Sequence, residues 1–388
     1  MDVRLDRPIP VIAAGAASAL GFSWRGLYRA VFDGFAPLTE PSELRASHPG
    51  IRASEVPPIP AAADAGDARQ RKLMARAARL AAVAAKPALL DAGIQMPRDN
   101  VGFFLGVGAS GGAMSDLLSV LQASLDGDHV SIAKLGDKGL SATNPVGTFQ
   151  LLNNFTLCHS SIIEGTTGPN GAFFSRGGGT VFALMEALSA IAGGECDRAV
   201  AGGADSALHP VTWAELVREG YAERGYVLGE GAAVLVLAAE AKDPIAFVEG
   251  CSLHWAGGPE AREVPEGLKS ALKAEAERSA GDVDLVMLAP WGGGARDALH
   301  SLAEALFPRA DALDLTSRFG DSLAASPALA WAAALDGIAS GNAHRALVLS
   351  AGIDGQVGSV LLSDVSDVSD VSDVSDGGRA GTLKRGGA

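Results

Sequence analysis

The sequence predicts an α/β fold built from two related halves. A chain of 388 residues exceeds the usual length of one domain, so one large α/β body or two fused halves is expected. Residues 10–15 are typical of a short buried strand ending in a glycine turn, and residues 24–33 follow with helical spacing. Much later, residues 187–199 align without gaps onto residues 334–346, with seven of thirteen positions identical. These three observations predict a duplicated α/β architecture.

Further strands and helices follow in order along the chain. Residues 37–72 are rich in Pro, Ala and charge and predict a surface excursion, and an alanine-rich helix over 73–92 comes next. Residues 101–107 predict a strand that glycines close. Residues 180–192 predict a helix that stops at a glycine pair, and the strand over 198–201 follows it.

The internal repeat predicts where the two halves divide. Each copy has the pattern of a helix, a glycine stop and a strand, and the glycine stop pairs Gly194 with Gly341. Chance similarity between alanine-rich helices is the alternative explanation. Duplication predicts a first half over residues 1–240 and a second half over residues 241–362.

Composition argues against several classes of protein. The formal net charge of −14 repels nucleic acid and anionic membranes, so an acidic partner would need a local basic patch. Cys158, Cys196 and Cys251 lie far apart without a C-x-x-C pair, which argues against a zinc site or a redox motif. The sequence shows no secretory leader and no apolar stretch of about 18 residues. We therefore expect a cytoplasmic, soluble protein.

The end of the sequence has low complexity. Residues 363–376 repeat Ser-Asp-Val four times and finish with Ser-Asp, and a segment rich in Gly and basic side chains follows. Such a composition buries too little apolar surface to offset chain entropy. We expect residues 363–388 to form a disordered tail outside the fold.

Several glycine-rich motifs carry a family resemblance. In chain order they are Gly-Pro-Asn at 168–170, three glycines at 177–179, the segment 194–205, the Gly-Glu-Gly turn within 225–233, and residues 350–356. Their order and spacing resemble the β-ketoacyl synthase superfamily, and the match covers nearly all of the chain before the tail. The resemblance implies the thiolase fold, with duplicated α/β halves in a five-layered α-β-α-β-α arrangement.

The resemblance also locates the positions of the family's catalytic residues. The family nucleophile is a cysteine at a helix N-terminus, and Gly177 stands there. The two family histidines, which assist decarboxylation and stabilise negative charge, fall on Ala289 and Asp321. The family lysine falls on Thr316 without a gap, or on Arg318 if the loop is shortened. No catalytic residue is intact, so the resemblance implies that this chain alone does not condense acyl groups.

Within the superfamily, this pattern is similar to chain-length factors, the subunits of type II polyketide and related polyene synthases that lack the cysteine. Those subunits usually carry glutamine where Gly177 stands. The resemblance implies a heterodimer with an active ketosynthase, in which this chain shapes the cavity for a polyketide or fatty acyl chain. It also implies delivery by an acyl carrier protein, and no metal or cofactor. Candidate cavity or interface residues are Arg176, Gly178, Trp291, Phe319 and Ile353.

Two other functions stay open at this point. Ser175, two residues before Gly177, would serve a divergent acyltransferase as a displaced nucleophile if a base stood beside it. A homodimeric scaffold without a ketosynthase partner is the second alternative. Cys158 is expected to be an inert thiol, because free cysteine is usually buried. The histidines show no metal or triad spacing and are expected to be structural, among them His159, His209 and His300.

Overall fold

The computed structural model describes most of the chain. The described ranges are residues 1–109, 111–145, 147–221, 226–257, 263–278 and 282–365. The predicted disordered tail lies outside them from residue 366 onward, and so does Gly225 of the glycine-rich turn. In the part of the chain that the structure describes, no helix combines the length and apolar character needed to cross a membrane.

Among the described residues, ten strands join into one mixed sheet and two more form a separate short hairpin. The strands are β1 Asp2–Ala17, β2 Val101–Val107, β3 Leu125–Asp126, β4 His129–Val130, β5 Asn170–Phe174, β6 Arg198–Ser206, β7 Glu230–Ala238, β8 Ala246–Trp255, β9 Leu285–Pro290, β10 Asp311–Asp314, β11 Arg345–Ala351 and β12 Gln356–Ser363. The hairpin pairs β3 with β4.

The sheet consists of two five-strand sets with the same pairing pattern. In the first set β5, β2 and β6 are parallel neighbours, and β7 and β1 continue the sheet in antiparallel fashion. In the second set β10, β9 and β11 are parallel, followed by antiparallel β12 and β8. An antiparallel pairing of β1 with β8 joins the sets. This pattern supports the predicted duplication, although the division at residue 240 stays a prediction.

The helices vary in length from three residues to sixteen. They are α1 Leu27–Phe32, α2 Ala68–Leu73, α3 Arg76–Asp91, α4 Met114–Ala123, α5 Ile132–Lys134, α6 Thr148–Leu151, α7 Phe155–Glu164, α8 Gly178–Ala192, α9 Pro210–Arg218, α10 Glu266–Arg278, α11 Gly292–Leu306, α12 Thr316–Phe319 and α13 Ser326–Ala339. The described residues also include a π-helical turn (Leu135–Gly139) and 3-10 turns at Leu140–Ala142 and Leu323–Ala325.

Three hydrophobic cores stack the helices and strands into layers. The central core packs α8 and α13 between the two five-strand sets, which is why both helices are apolar on nearly every side. A second core packs α3 on the outer face of the first set, and a third packs α10 and α11 on the outer face of the second set. The predicted layered α/β fold is confirmed.

The repeat found in the sequence occupies equivalent places in these layers. Residues 187–199 cover the end of α8 and the start of β6, and residues 334–346 cover the end of α13 and the start of β11. Both helices lie in the central layer, and both strands lie in the middle of their five-strand set. The two copies therefore have the same surroundings.

Several boundaries differ from the sequence prediction. The surface excursion over 37–72 ends in a short helix, α2, because Asp67 and Gln70 form a reciprocal capping box at its start. The predicted helix over 73–92 is α3, which begins at Arg76. The segment from α4 to α7 was not predicted from the sequence, because its short helices and turns lack a sustained apolar period.

Candidate functional site

Gly177 lies at the start of the first central helix. Strand β5 ends at Phe174, two residues form a turn, and Gly177 then precedes α8 with φ 133° and ψ −63°. Its carbonyl accepts a hydrogen bond from the backbone N–H of Thr180 at 3.1 Å. The position is thus the helix N-terminus where backbone N–H groups favour negative charge. No side chain is present there to use that field.

The backbone around Gly177 leaves no space for a side chain. A Cβ atom at Gly177 would lie 2.8 Å from Cα of Gly352, and a Cβ at Gly352 would lie 2.8 Å from the carbonyl oxygen of Arg176. A Cβ at Gly178 would lie 2.6 Å from Cβ of Gln356. The positive φ of Gly177 also disfavours any L-residue. The turn before α8 therefore packs directly against the hairpin between β11 and β12.

The Ala289 segment reaches the same hairpin through the second five-strand set. Ala289 is buried near the end of β9, where it pairs with Ser350 of β11. The backbone N–H of Trp291 donates to the carbonyl of Ala351 at 2.8 Å, one residue before Gly352. Ala289 is methyl-sized and apolar, so no proton donor or acceptor side chain stands at this position.

Asp321 approaches the first turn of α8 from the loop before α13. Its Oδ1 accepts hydrogen bonds from the backbone N–H of Leu323 at 2.6 Å and from the Ser326 hydroxyl at 3.0 Å. The same loop presents the carbonyl of Ala324, which accepts a hydrogen bond from the Thr180 hydroxyl in α8. Burial raises the pKa of Asp321 to about 7. A buried carboxyl thus lies on the loop that contacts the start of α8, and its assignment to a family histidine position stays a prediction.

A second buried carboxyl, Asp205, lies against the same loop and was not singled out as a site residue in the sequence. It is the penultimate residue of β6, and its Oδ2 accepts from the backbone N–H of Ala324 at 3.2 Å. Burial raises its pKa to about 7, and its charge contributes to the raised pKa of Asp321. A Cβ at Gly108 would overlap its carboxylate. That glycine at the end of β2 was the available signal.

Thr316 and Arg318 occupy different environments. Thr316 is buried in α12, and its hydroxyl donates to the carbonyl of Pro290 at 2.9 Å, next to Ala289. Arg318 is exposed, and its guanidinium points toward Gly34. The residue that faces the site from α12 is therefore the neutral Thr316.

Ser175 and Arg176 form the turn between β5 and α8. The Ser175 hydroxyl donates to Oε1 of Gln356 at 3.0 Å and lies 3.4 Å from Oδ2 of Asp354. Arg176 holds the Asp354 carboxylate through its guanidinium at 2.9 Å and its backbone N–H at 3.1 Å, and it also contacts Glu219 at 3.3 Å. The Asp354 carboxylate beside Ser175 is thus already paired with Arg176. The displaced-nucleophile hypothesis stays a prediction.

The three apolar cavity candidates are packed inside the molecule. Trp291 and Ile353 are fully buried in one cluster, while Phe319 is 2% exposed in the central core. The smaller candidates, Gly178 and the turn of Arg176, contact the hairpin described above. Their assignment to a cavity or interface stays a prediction.

The cysteines and histidines have structural surroundings. Burial raises the pKa of the Cys158, Cys196 and Cys251 thiols, which disfavours thiolate. The imidazoles have the following partners: His159 the Leu73 carbonyl, His209 the Gly112 carbonyl, and His300 the Glu304 carboxylate. Among the described residues, no group of three or more His, Cys, Asp or Glu is placed to hold a metal ion.

Comparison with known proteins shows the family to which the chain belongs. The model of the β-ketoacyl synthase N-terminal domain matches residues 33–243, which is more than half of the chain. The chain belongs to the β-ketoacyl synthase family, so the predicted family is confirmed. A search of curated proteins gave no match.

Solved structures of this family share the fold at low sequence identity. A β-ketoacyl synthase from Burkholderia phymatum superposes with a TM-score of 0.74 at 17% identity, and the ishigamide ketosynthase/chain length factor with 0.71 at 21%. A chain of AntDE:AntF, a type II polyketide synthase acyl-carrier protein in complex with its ketosynthase, gives 0.70 at 15%. Each match covers 92% of this chain and 100% of the other. These likenesses establish the thiolase-like fold.

Proposed function

We propose that this chain is a non-condensing ketosynthase-like subunit. It pairs with an active β-ketoacyl synthase and shapes the cavity into which a polyketide or fatty acyl chain extends. The observation that carries the proposal is Gly177, because the nucleophile position has neither a side chain nor the space for one. A family member built in this way contributes to the reaction by its shape.

The chemistry around Gly177 supports the same conclusion. Condensation needs an acylated nucleophile and groups that stabilise the negative charge of the decarboxylated extender. Here an alanine and two buried carboxyls, Asp205 and Asp321, surround the helix start. Whenever either carboxyl is ionised, its charge opposes the charge that develops in the reaction. We expect no condensation by this chain alone.

An apolar surface at the end of the sheet supports pairing with a second ketosynthase fold. Strand β5 is an edge of the ten-strand sheet, and Phe174 at its end is 61% exposed. Helix α7 contacts β5 and exposes Ile162, and Phe155 of α7 packs edge-on against Phe149 of α6. We name β5, α6 and α7 the apolar edge surface. Edge strands and contiguous exposed apolar side chains favour a protein partner.

The place of this surface in the chain favours an active ketosynthase as its occupant. Phe174 is followed directly by Ser175, Arg176 and Gly177, so a subunit seated on β5 would lie beside the empty nucleophile position. A second copy of this chain would bring a second site without a nucleophile. An active partner supplies the catalytic residues, and this chain supplies part of the surface that encloses the acyl chain.

Delivery by an acyl carrier protein is part of the proposal. The AntDE:AntF structure pairs a ketosynthase with such a carrier. In this chain, whose net charge is −14, α2 concentrates positive charge: Arg69 and Lys72 are exposed, and Arg71 pairs with Asp64 at 3.4 Å. Helix α2 is thus a local basic surface that suits an acidic protein.

The test is co-expression with the ketosynthase encoded nearest this gene, followed by co-purification and mass measurement by light scattering. We expect a one-to-one heterodimer that Phe174→Glu disrupts by at least tenfold in Kd, because the charge would enter an apolar contact. Phe35→Glu is the matched control, since Phe35 is 52% exposed outside the apolar edge surface.

Two outcomes would contradict the proposal. Recovery of this chain only as a homodimer would favour the scaffold alternative, and recovery only as a monomer would count against pairing with a ketosynthase. An acyl label retained covalently by the purified chain and lost in Ser175→Ala would favour the divergent acyltransferase.

A further inference from the structure

We infer that this subunit's own acyl site is filled by three of its aromatic side chains, Tyr221, Tyr226 and Trp291, which we name the aromatic plug. The inference deepens the proposed function and rests on it. If the acyl chain grows between two ketosynthase-like subunits, each subunit offers a possible chamber. The plug closes the chamber in this one, so the growing chain is housed by the partner.

The three rings form a closed, mutually packed group. The Trp291 ring stacks on Tyr226 with centroids 5.0 Å apart and planes 14° apart. Tyr221 meets Trp291 edge-on at 5.3 Å and Tyr226 at 5.6 Å. Both geometries are favourable aromatic arrangements. Trp291 is fully buried, which leaves no solvent-sized space at its surface.

The plug lies where the loops of the three replaced catalytic positions meet. Trp291 follows Ala289 by two residues, and Leu323 follows Asp321 by two. Ile353 directly follows Gly352, the residue against which Gly177 packs. Trp291, Leu323, Ile353 and Tyr226 belong to one hydrophobic cluster. Each of the three loops therefore contributes an apolar side chain to the same filled volume.

The backbone at Gly292 passes close to the Tyr226 ring. Gly292, directly after Trp291, has φ 73°, and a Cβ atom there would overlap the Tyr226 ring. Tyr226 thus lies on the backbone at the start of α11. The indole N–H of Trp291 is buried and has no hydrogen-bond partner among the residues that the structure describes. The contribution of this side chain to the plug is therefore its packing volume, without a hydrogen bond that would offset the burial of its N–H.

An acyl chain is apolar and would need this volume. Restoring the nucleophile or the histidines would leave the three rings in place. Under this inference the subunit therefore lacks both the catalytic side chains and the volume for an acyl chain. Removal of the Trp291 ring should create an apolar chamber next to the Gly177 turn. Such chambers bind apolar ligands of matching size.

The experiment titrates decanoyl-pantetheine into the full-length protein by calorimetry. Wild type should show no saturable binding, whereas Trp291→Ala should bind one equivalent at least tenfold more tightly than Trp331→Ala. Trp331 is the matched control, because it is also fully buried and its indole N–H has no partner in the described part of the chain, but it lies in the central core. If the chain purifies only with a partner, the partner's cysteine is acylated first so that its site is occupied.

Saturable binding to wild type would overturn the inference, and this arm does not depend on any variant folding. Equal binding to folded Trp291→Ala and Trp331→Ala would also overturn it. Trp291→Leu, a milder truncation, replaces Trp291→Ala if circular dichroism shows that the latter is unfolded. Failure of the proposed function appears separately, as the loss of co-purification with a ketosynthase.

Discussion

The two central helices, α8 and α13, end alike but begin differently. The repeat joins the end of α8 to β6 and the end of α13 to β11 with seven of thirteen identities. The nine residues before each copy, 178–186 and 325–333, share one identical pair, Ala183 with Ala330. The helix ends only pack against the core, whereas the helix starts border the candidate site. The two helices therefore keep similar sequences where they pack in the core, and their sequences differ where they border the candidate site.

The two helix starts also have different surroundings. The same 147-residue offset puts Gly177 opposite Ala324. At Gly177 the backbone contacts another turn and no side chain fits. At Ala324 the loop is tied by buried carboxyls, because Asp205 accepts from its N–H and Asp321 accepts from Leu323. One start is closed by backbone contact and the other by polar side chains.

The largest expected effect on stability is at Gly177, before the start of α8. Gly177→Ala should lower the free energy of unfolding by about 3 kcal/mol or more, because it adds backbone strain and a clash with Gly352. Gly194→Ala is the control: its φ of 71° is in the left-handed region and is less strained than the φ of 133° at Gly177, and its Cβ would meet nothing within 4 Å, so about 1–2 kcal/mol is expected. Urea denaturation of both variants measures the difference.

Equal losses for the two glycine variants would mean that the contact with Gly352 does not restrict the site. The related variant Gly177→Cys should restore no condensation in the purified chain, since Ala289 and Asp321 remain. Product formed by that single variant without a partner, detected by mass spectrometry, would refute this account of the catalytic positions.

The next largest effect on stability is at Asp321, on the loop before α13, and it depends on pH. Burial raises the pKa of Asp321 from the ordinary value of 3.8 to about 7, so the folded state holds a proton that the unfolded chain releases. Its stabilising contribution is complete below about pH 3.8 and is lost as pH rises through about 7. The free energy of unfolding should therefore fall by up to about 3 kcal/mol per carboxyl from about pH 5 to pH 8.

Asp321→Asn should flatten this pH dependence, because the amide oxygen can still accept from Leu323 and Ser326 but no longer titrates. Asp128→Asn, on the fully exposed β3–β4 turn, should leave the slope unchanged. Thermal unfolding at several pH values provides the measurement. A slope in Asp321→Asn equal to that of wild type would show that Asp321 does not hold the proton.

The same contrast explains what the sequence revealed. The motifs and the repeat predicted the family and the layered fold, because strand–turn–helix patterns are local, whereas the catalytic positions assigned to Gly177, Ala289 and Asp321 stay predictions. The aromatic plug, the role of Asp205 and the exposure of Phe174 were not predicted. Each depends on contacts between segments that are far apart in sequence, such as Tyr226 with Trp291. Local patterns do not record such packing.

The smallest expected effect tests whether the helix ends are energetically equivalent. Ile191 and Ile338 are paired by the repeat, and each is 6% exposed in the central core. Removing one methylene from either should cost about 1 kcal/mol, and the two costs should agree within about 0.5 kcal/mol. Urea denaturation of Ile191→Val and Ile338→Val measures both. Costs that differ by more than about 1 kcal/mol would mean that the repeated sequence no longer reports repeated packing, and the contrast between helix ends and helix starts would then fail.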